Sequence, residues 1–240
     1  MATLFTDNIG PRKPTQDITL GTTGETITFP GNDLRVNTFK DKGGNTLWTS
    51  DGSGNLSSVN SGLRGNLVLV STQNASGVAS VGFTVDSTYD VYIFKLIDIN
   101  PSVDDTRINV NFSGDGGSTF LIKSSTYWRA VHDVNDTSTG IAYDTGDDLT
   151  ESAANQKLCH GIGSAADECG VGELFLFSPS NTSYVKNWHS TMQVYYPASG
   201  GYSIECFTTG YCTVTTAINH VKYEMSTGVF DGTIKMYGLS

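Results

Sequence analysis

Apolar positions recur with a period of two over most of the chain, in short runs broken by glycine and polar turn residues. A period of two sends alternate side chains to opposite faces of a β-strand. The strength of the pattern changes near residue 66. Before that point the apolar runs are brief: Ile18–Leu20, Ile27–Phe29 and Leu34–Val36. They are separated by Gly21–Gly24, Gly43-Gly44-Asn45 and Asp51-Gly52-Ser53-Gly54-Asn55. One such ribbon buries too little surface to offset the entropy of ordering it. Identical chains wound together would bury more. Residues 1–65 are therefore expected to form a Gly-rich β stalk for attachment and oligomerisation, with a flexible tether as the plainer alternative.

From Asn66 the runs lengthen. Leu67–Val70 is read as a buried run, and Val81, Phe83 and Val85 alternate. Val91–Ile99 is apolar on both faces, as a central strand requires. Ile108, Val110 and Phe112 face inward, while Arg107, Asn109 and Asn111 face outward. Further strands are expected at Glu173–Phe177, Tyr184–Tyr196, Tyr202–Phe207, Ile218–Met225 and Thr233–Leu239. Strands at such close spacing, with turn residues between them, predict an all-β fold. Residues 66–240 are read as a β-sandwich head, jelly-roll-like. Only Asp147–Lys157 has a helical texture.

Composition agrees with the pattern. The chain holds 27 Gly, 25 Ser and 30 Thr, and 18 of its 24 acids are Asp. These residues favour turns and strands over helix. The net charge of −10 argues against nucleic acid as a partner, since that needs a basic face. No apolar run is long enough for a transmembrane helix, so no membrane insertion is expected. The opening residues lack a basic-then-apolar export pattern, so synthesis in a reducing cytoplasm is expected.

Four cysteines, Cys159, Cys169, Cys206 and Cys212, allow three pairings. They are read as structural thiols or disulfides, pairing locally as Cys159–Cys169 and Cys206–Cys212 if they oxidise. The second pair flanks a presumed tight turn, Phe207–Tyr211. Their spacings match no zinc motif, so no metal is expected. His189 and His220 fall on polar strand faces, and His160 points away from Cys159, which argues against a Cys–His dyad. Aspartates cluster in loops, where Asp is an ordinary turn former. Asp51-x-Ser53-x-Asn55 resembles half a calcium loop but lacks the distal glutamate. With no nucleophile motif and no carboxylate pair outside turns, no catalytic residue and no cofactor are expected. The loop Tyr195–Tyr202 is aromatic and nearly uncharged. Tyr196 shares the inward parity of Trp188 and Val194. Tyr195 takes the opposite parity, and Tyr202 follows Gly200-Gly201. Tyr195 and Tyr202 are the candidate glycan-stacking residues.

Several phrases resemble a known family. They are Gly65-Asn-Leu-Val-Leu-Val-Ser-Thr-Gln, Asp86-Ser-Thr-Tyr-Asp-Val-Tyr-Ile-Phe-Lys-Leu-Ile-Asp-Ile-Asn-Pro, Gly140-Ile-Ala-Tyr-Asp-Thr-Gly, Gly172-Glu-Leu-Phe-Leu-Phe-Ser-Pro and Phe230-Asp-Gly-Thr-Ile-Lys-Met-Tyr-Gly. Together they resemble the small virion structural proteins of marine tailed bacteriophages, the fibre, tail and capsid-decoration components. The resemblance implies a non-enzymatic virion protein and transfers no catalytic residue. The expected arrangement is a homotrimeric tail or head fibre. It would attach to other virion proteins through its N-terminal segment and project a head toward host surface glycans. A capsid-decoration protein that only stabilises the shell is the first alternative, and a glycan depolymerase the second.

Overall fold

The computed structural model describes residues 36–57, 59–60 and 67–239. The runs Ile18–Leu20 and Ile27–Phe29 lie outside the described residues. The chain divides into two compact units, Met1–Leu63 and Arg64–Ser240, two residues before the boundary expected from the pattern.

In the first unit, β1 (Thr38–Lys40), β2 (Thr46–Ser50) and β3 (Leu56–Ser57) form an antiparallel meander. Its two turns are built alike. Asp41 accepts the backbone N–H of Asn45 at 2.8 Å and the Asn45 side-chain amide at 3.0 Å. Asp51 accepts Ser53 N–H at 2.7 Å, Asn55 N–H at 3.1 Å and the Asn55 side-chain amide at 2.8 Å. Both Asp51 oxygens are thus used within the turn, which favours turn-forming over calcium at this loop. The Phe39 and Trp48 rings stack with centroids 5.7 Å apart, but Phe39 stays 45% exposed. No described residue of this unit is buried.

The second unit contains β4 (Leu67–Val78), β5 (Ser80–Thr84), β6 (Val91–Pro101), β7 (Ile108–Ser113), β8 (Lys123–Asp133), β9 (Thr139–Tyr143), β10 (Gln156–Lys157), β11 (Gly170–Phe177), β12 (Lys186–Tyr196), β13 (Tyr202–Cys212), β14 (His220–Met225) and β15 (Phe230–Leu239). One sheet has the order β4-β15-β6-β11-β12-β13-β8-β9, the other β10-β7-β14-β5, and their strand pairs are antiparallel. The chain is an all-β sandwich, as the alternation predicts.

The core lies between the two sheets. Phe94 of the long sheet meets Phe83 and Tyr223 of the short one, with ring centroids 5.4 and 5.5 Å away. Trp188 meets Phe112 at 5.6 Å. All five rings are at most 2% exposed. Complete burial of a large apolar side chain stabilises by about 1.5–3 kcal/mol, so these rings dominate the head's stability. Gly210 faces Trp188 across β12 and β13. A Cβ there would come within 2.7 Å of the indole and 2.5 Å of the Ser124 carbonyl oxygen, so only glycine lets the strands close over the ring.

Four expectations are corrected. Leu67, Leu69 and Val70 are exposed instead of buried, on β4 at the edge of the longer sheet. Asn109 and Asn111, expected to face outward, are buried, because their amides donate to Ser226 Oγ and to the Ala153 carbonyl and Asn155 Oδ1. Asp147–Lys157 is not helical; it is turn and bridge structure ending in β10, with Gln156 fully buried. The segment's backbone pairs with Lys123 at Ser152 and with β7 at Gln156 and Lys157, so tertiary contacts replace the helical bonds. Phe207–Tyr211 is not a tight turn either. It is the interior of β13, paired on both sides. Cys206 and Cys212 lie six residues apart on one extended strand, hence about 20 Å apart, far beyond disulfide reach. All four cysteines are free thiols.

Candidate functional site

Strands β12, β13, β8 and β9 build a ladder whose inner face is covered by the second sheet at only one end. Register places Tyr196 opposite Tyr202, Ile204 opposite Val131, and Cys206 opposite Arg129, which in turn faces Ala142. At the far end this face opens into a depression of about 450 Å³ lined by Arg129, Val131, Ser138, His160, Tyr196 and Tyr202, among others. An adjoining depression of about 360 Å³ shares Arg129 and His160 and adds Arg107, Asp144 and Asp147. The two form one cleft. Its outer lip is β9, whose five residues are all exposed.

Local sequence explains the walls. Tyr196 and Tyr202 share a face because they are cross-strand partners, and their rings sit 6.0 Å apart. The connection between them is one short 3-10 turn at Ala198–Gly200, followed by Gly201 at φ 109°. That conformation suits glycine. Tyr195 points to the other face and lies over Gly201, where a Cβ would approach its hydroxyl to 2.5 Å. His160 packs on Tyr196 with centroids 4.7 Å apart. Its Nδ1 accepts the Gly161 N–H at 2.7 Å, which leaves Nε2 to carry the proton of a neutral ring. Burial pushes the imidazole pKa down, and Arg129 and Arg107 push it the same way.

Arg129 lies beside Asp144, with Nε and Oδ2 2.7 Å apart. The angle is poor for a hydrogen bond, so both atoms still lack an aligned partner, and the buried Nε of Arg107 lacks one too. Asp147 instead pairs with Lys157. The cleft therefore offers donors at Arg107, Arg129 and His160 beside two tyrosine rings.

The same strands carry another cationic group at their opposite end. Lys186, Cys212 and Lys123 stand in one cross-strand row, and all three are fully buried. Lys186 Nζ donates to the Tyr184 and Thr215 carbonyls at 2.6 and 3.0 Å. Lys123 Nζ donates to Asn111 Oδ1 at 2.6 Å. Burial lowers the Lys123 pKa to about 8 and raises that of Cys212 to about 11, each partly offset by the other's charge.

The expected stacking residues Tyr195 and Tyr202 do not form one site, because they lie on opposite faces of the sheet. Tyr202 is not a free loop tip: it begins β13, is half-buried and packs on the core. The thiols are not arranged as expected. Cys206 accepts the Tyr127 hydroxyl at 3.1 Å and the His160 N–H at 3.2 Å. That second bond brings Cys206 against the backbone next to Cys159, a member of the other expected pair. Cys169 is only half-buried. His160 and Cys159 do diverge, one lining the cleft and the other fully buried. The aspartates behave as turn formers. Asp133 accepts Thr137 and Ser138 N–H at 2.7 and 2.8 Å, and Asp115 accepts Thr119 N–H at 2.8 Å.

Arg107, Arg129 and His160 were missed. The available signal was parity: Arg129 shares the inward face of β8 with Tyr127 and Val131, where a charge needs a reason. No family model matches the sequence, no curated protein matches it, and no solved structure matches its fold.

Proposed function

We propose that the chain is a non-enzymatic virion structural protein, a fibre-like appendage whose sandwich head contacts glycans. The observation that supports this best is the open cleft at one end of the sandwich, where Tyr196 and Tyr202 give a ring-stacking shelf beside hydrogen-bond donors. Aromatic rings beside several convergent polar groups suit a small polar ligand. The non-enzymatic reading draws on carboxylates that are occupied in turns or ion pairs: Asp51, Asp115 and Asp133 hold loops, Asp147 pairs with Lys157, and Glu173 pairs with Lys95.

The oligomeric part of the reading draws on β4. It is a sheet edge twelve residues long, with Leu67 and Leu69 49% and 52% exposed. Exposed apolar strands at a sheet edge are covered by other chains unless they are protected, and further copies of this chain can supply that cover. Light scattering of the full chain should return a trimer, with a monomer counting against the appendage reading. A glycan array should show weak binding that Tyr202→Ala removes. Release of oligosaccharide from a bound polysaccharide would instead favour a depolymerase.

A further inference from the structure

We infer that the cleft between β8, β9 and β13 takes a carboxylated saccharide, with Arg107 and Arg129 meeting the carboxylate and Tyr196 and Tyr202 carrying the sugar ring. This rests on the glycan-contact reading above and narrows it to acidic sugars.

The charge inventory is the first argument. The protein carries −10 overall, with only five arginines. Arg12, Arg35 and Arg64 lie outside the described residues, and the other two both line this cleft. The lining carboxylates are already matched, Asp144 by Arg129 and Asp147 by Lys157. Asp105 packs against Gly161, outside the lining. Arg107 is left as a cation without an ion-pair partner among the described residues, its Nε buried and unbonded.

Donor geometry is the second argument. A guanidinium presents a planar fork that matches a carboxylate, which an ammonium does not. Arg129 spends only Nε on Asp144, so its terminal nitrogens remain available. His160 holds its Nδ1 against Gly161 and presents Nε2–H. These donors call for an acceptor-rich ligand. A neutral sugar would leave the Arg107 charge unmatched, whereas a uronate or another carboxylated pyranose matches it. The tyrosines set the ring class, since Tyr196 and Tyr202 line the same depression as Arg129.

The test titrates the full chain with an oligoglucuronate, the same oligosaccharide after reduction of its carboxylates to alcohols, and a sulfated neutral oligosaccharide, followed by ligand-observed NMR. The acid should bind at least about tenfold more tightly than its reduced form. Arg129→Gln and Arg107→Gln should each abolish that margin, and Tyr195→Ala, on the opposite face, should leave it intact. Should Arg129→Gln lower the melting point by unpairing Asp144, Arg107→Gln gives the reading. Equal binding of the acid and its reduced form overturns the acidic preference while the glycan reading stands. Preference for the sulfated sugar over the uronate overturns the carboxylate assignment. Failure of every sugar to bind overturns both readings.

Discussion

Cations cluster at both ends of the inner face of β12, β13 and β8, and the two clusters are treated in opposite ways. At one end Lys186 and Lys123 are sealed from water, and the nitrogen of each finds a carbonyl or amide oxygen. At the other end Arg107 and Arg129 sit in an open cleft with donors to spare. A buried charge is tolerated only when its hydrogen bonds are satisfied. The closed end meets that condition and is therefore structural. The open end is in contact with solvent, so its cations need no such internal set. The contrast separates cations sealed into the head from cations left open to solvent, although both look alike in sequence.

The contrast breaks if stability tracks the open end. Trp188→Ala, beside the closed end, should destabilise the head by about 3–5 kcal/mol in denaturant unfolding. Arg129→Gln should cost less than about 1 kcal/mol, because its ion pair is partly solvated. Comparable losses in the two variants would mean that the cleft is also structural.

Lys123 sharpens the contrast through pH. Its folded pKa is lowered to about 8 by burial, below the unfolded value near 10.5. Between these values the unfolded chain binds the extra proton, so this group's contribution to stability rises with pH. Below about pH 8 the burial cost is present in full. The wild type should therefore gain stability relative to Lys123→Met between pH 8 and 10. A constant difference between the two would show that the lysine is solvated.

Thiol reactivity tests the closure kinetically. Cys169, half-buried, should react first with a maleimide under native conditions. Cys159, Cys206 and Cys212 are fully buried with raised pKa values, and they should react only on unfolding. Early labelling of Cys212 would mean that the closed end opens readily. No Cys206–Cys212 cross-link should form on oxidation.

The smallest effect belongs to the exposed loops. Asp115 accepts two bonds from Thr119 and one from Ser113, which lowers its pKa to about 2. Its depressed pKa contributes stability above about pH 4, and that contribution is lost as pH falls toward 2. Asp115→Asn should flatten this part of the acid-melting curve by a small margin, and an unchanged curve would remove the loop from the account.

Much of the head is legible from local pattern. Val221, Tyr223 and Met225 are buried while His220 is not. In β7 the parity of Ile108, Val110 and Phe112 holds, but Asn109 and Asn111 between them are buried as well. Asp41, Asp51, Asp115 and Asp133 sit in turns, as the chemistry of Asp predicts. These properties depend on neighbours within a few residues, which is the range over which strand parity and turn formation act. Local pattern misleads at Phe207–Tyr211, where Thr-Thr-Gly suggests a turn. Pairing with β12 on one side and β8 on the other holds it extended instead.

By itself the sequence determined the period, and with it the all-β class, the face each strand residue takes and the positions of most turns. Only the tertiary structure decided what covers each face. Lys123, Arg129, Lys186 and Tyr202 all carry inward parity, yet the first and third are sealed, Arg129 is left half-open and Tyr202 becomes a shelf. Arg107 and Arg129 belong to different strands' neighbourhoods and meet only because β7 and β8 lie in separate sheets that face each other. Parity is set by the geometry of one strand, whereas coverage depends on sheet order and on where the second sheet ends. Those depend on contacts between residues far apart in the chain.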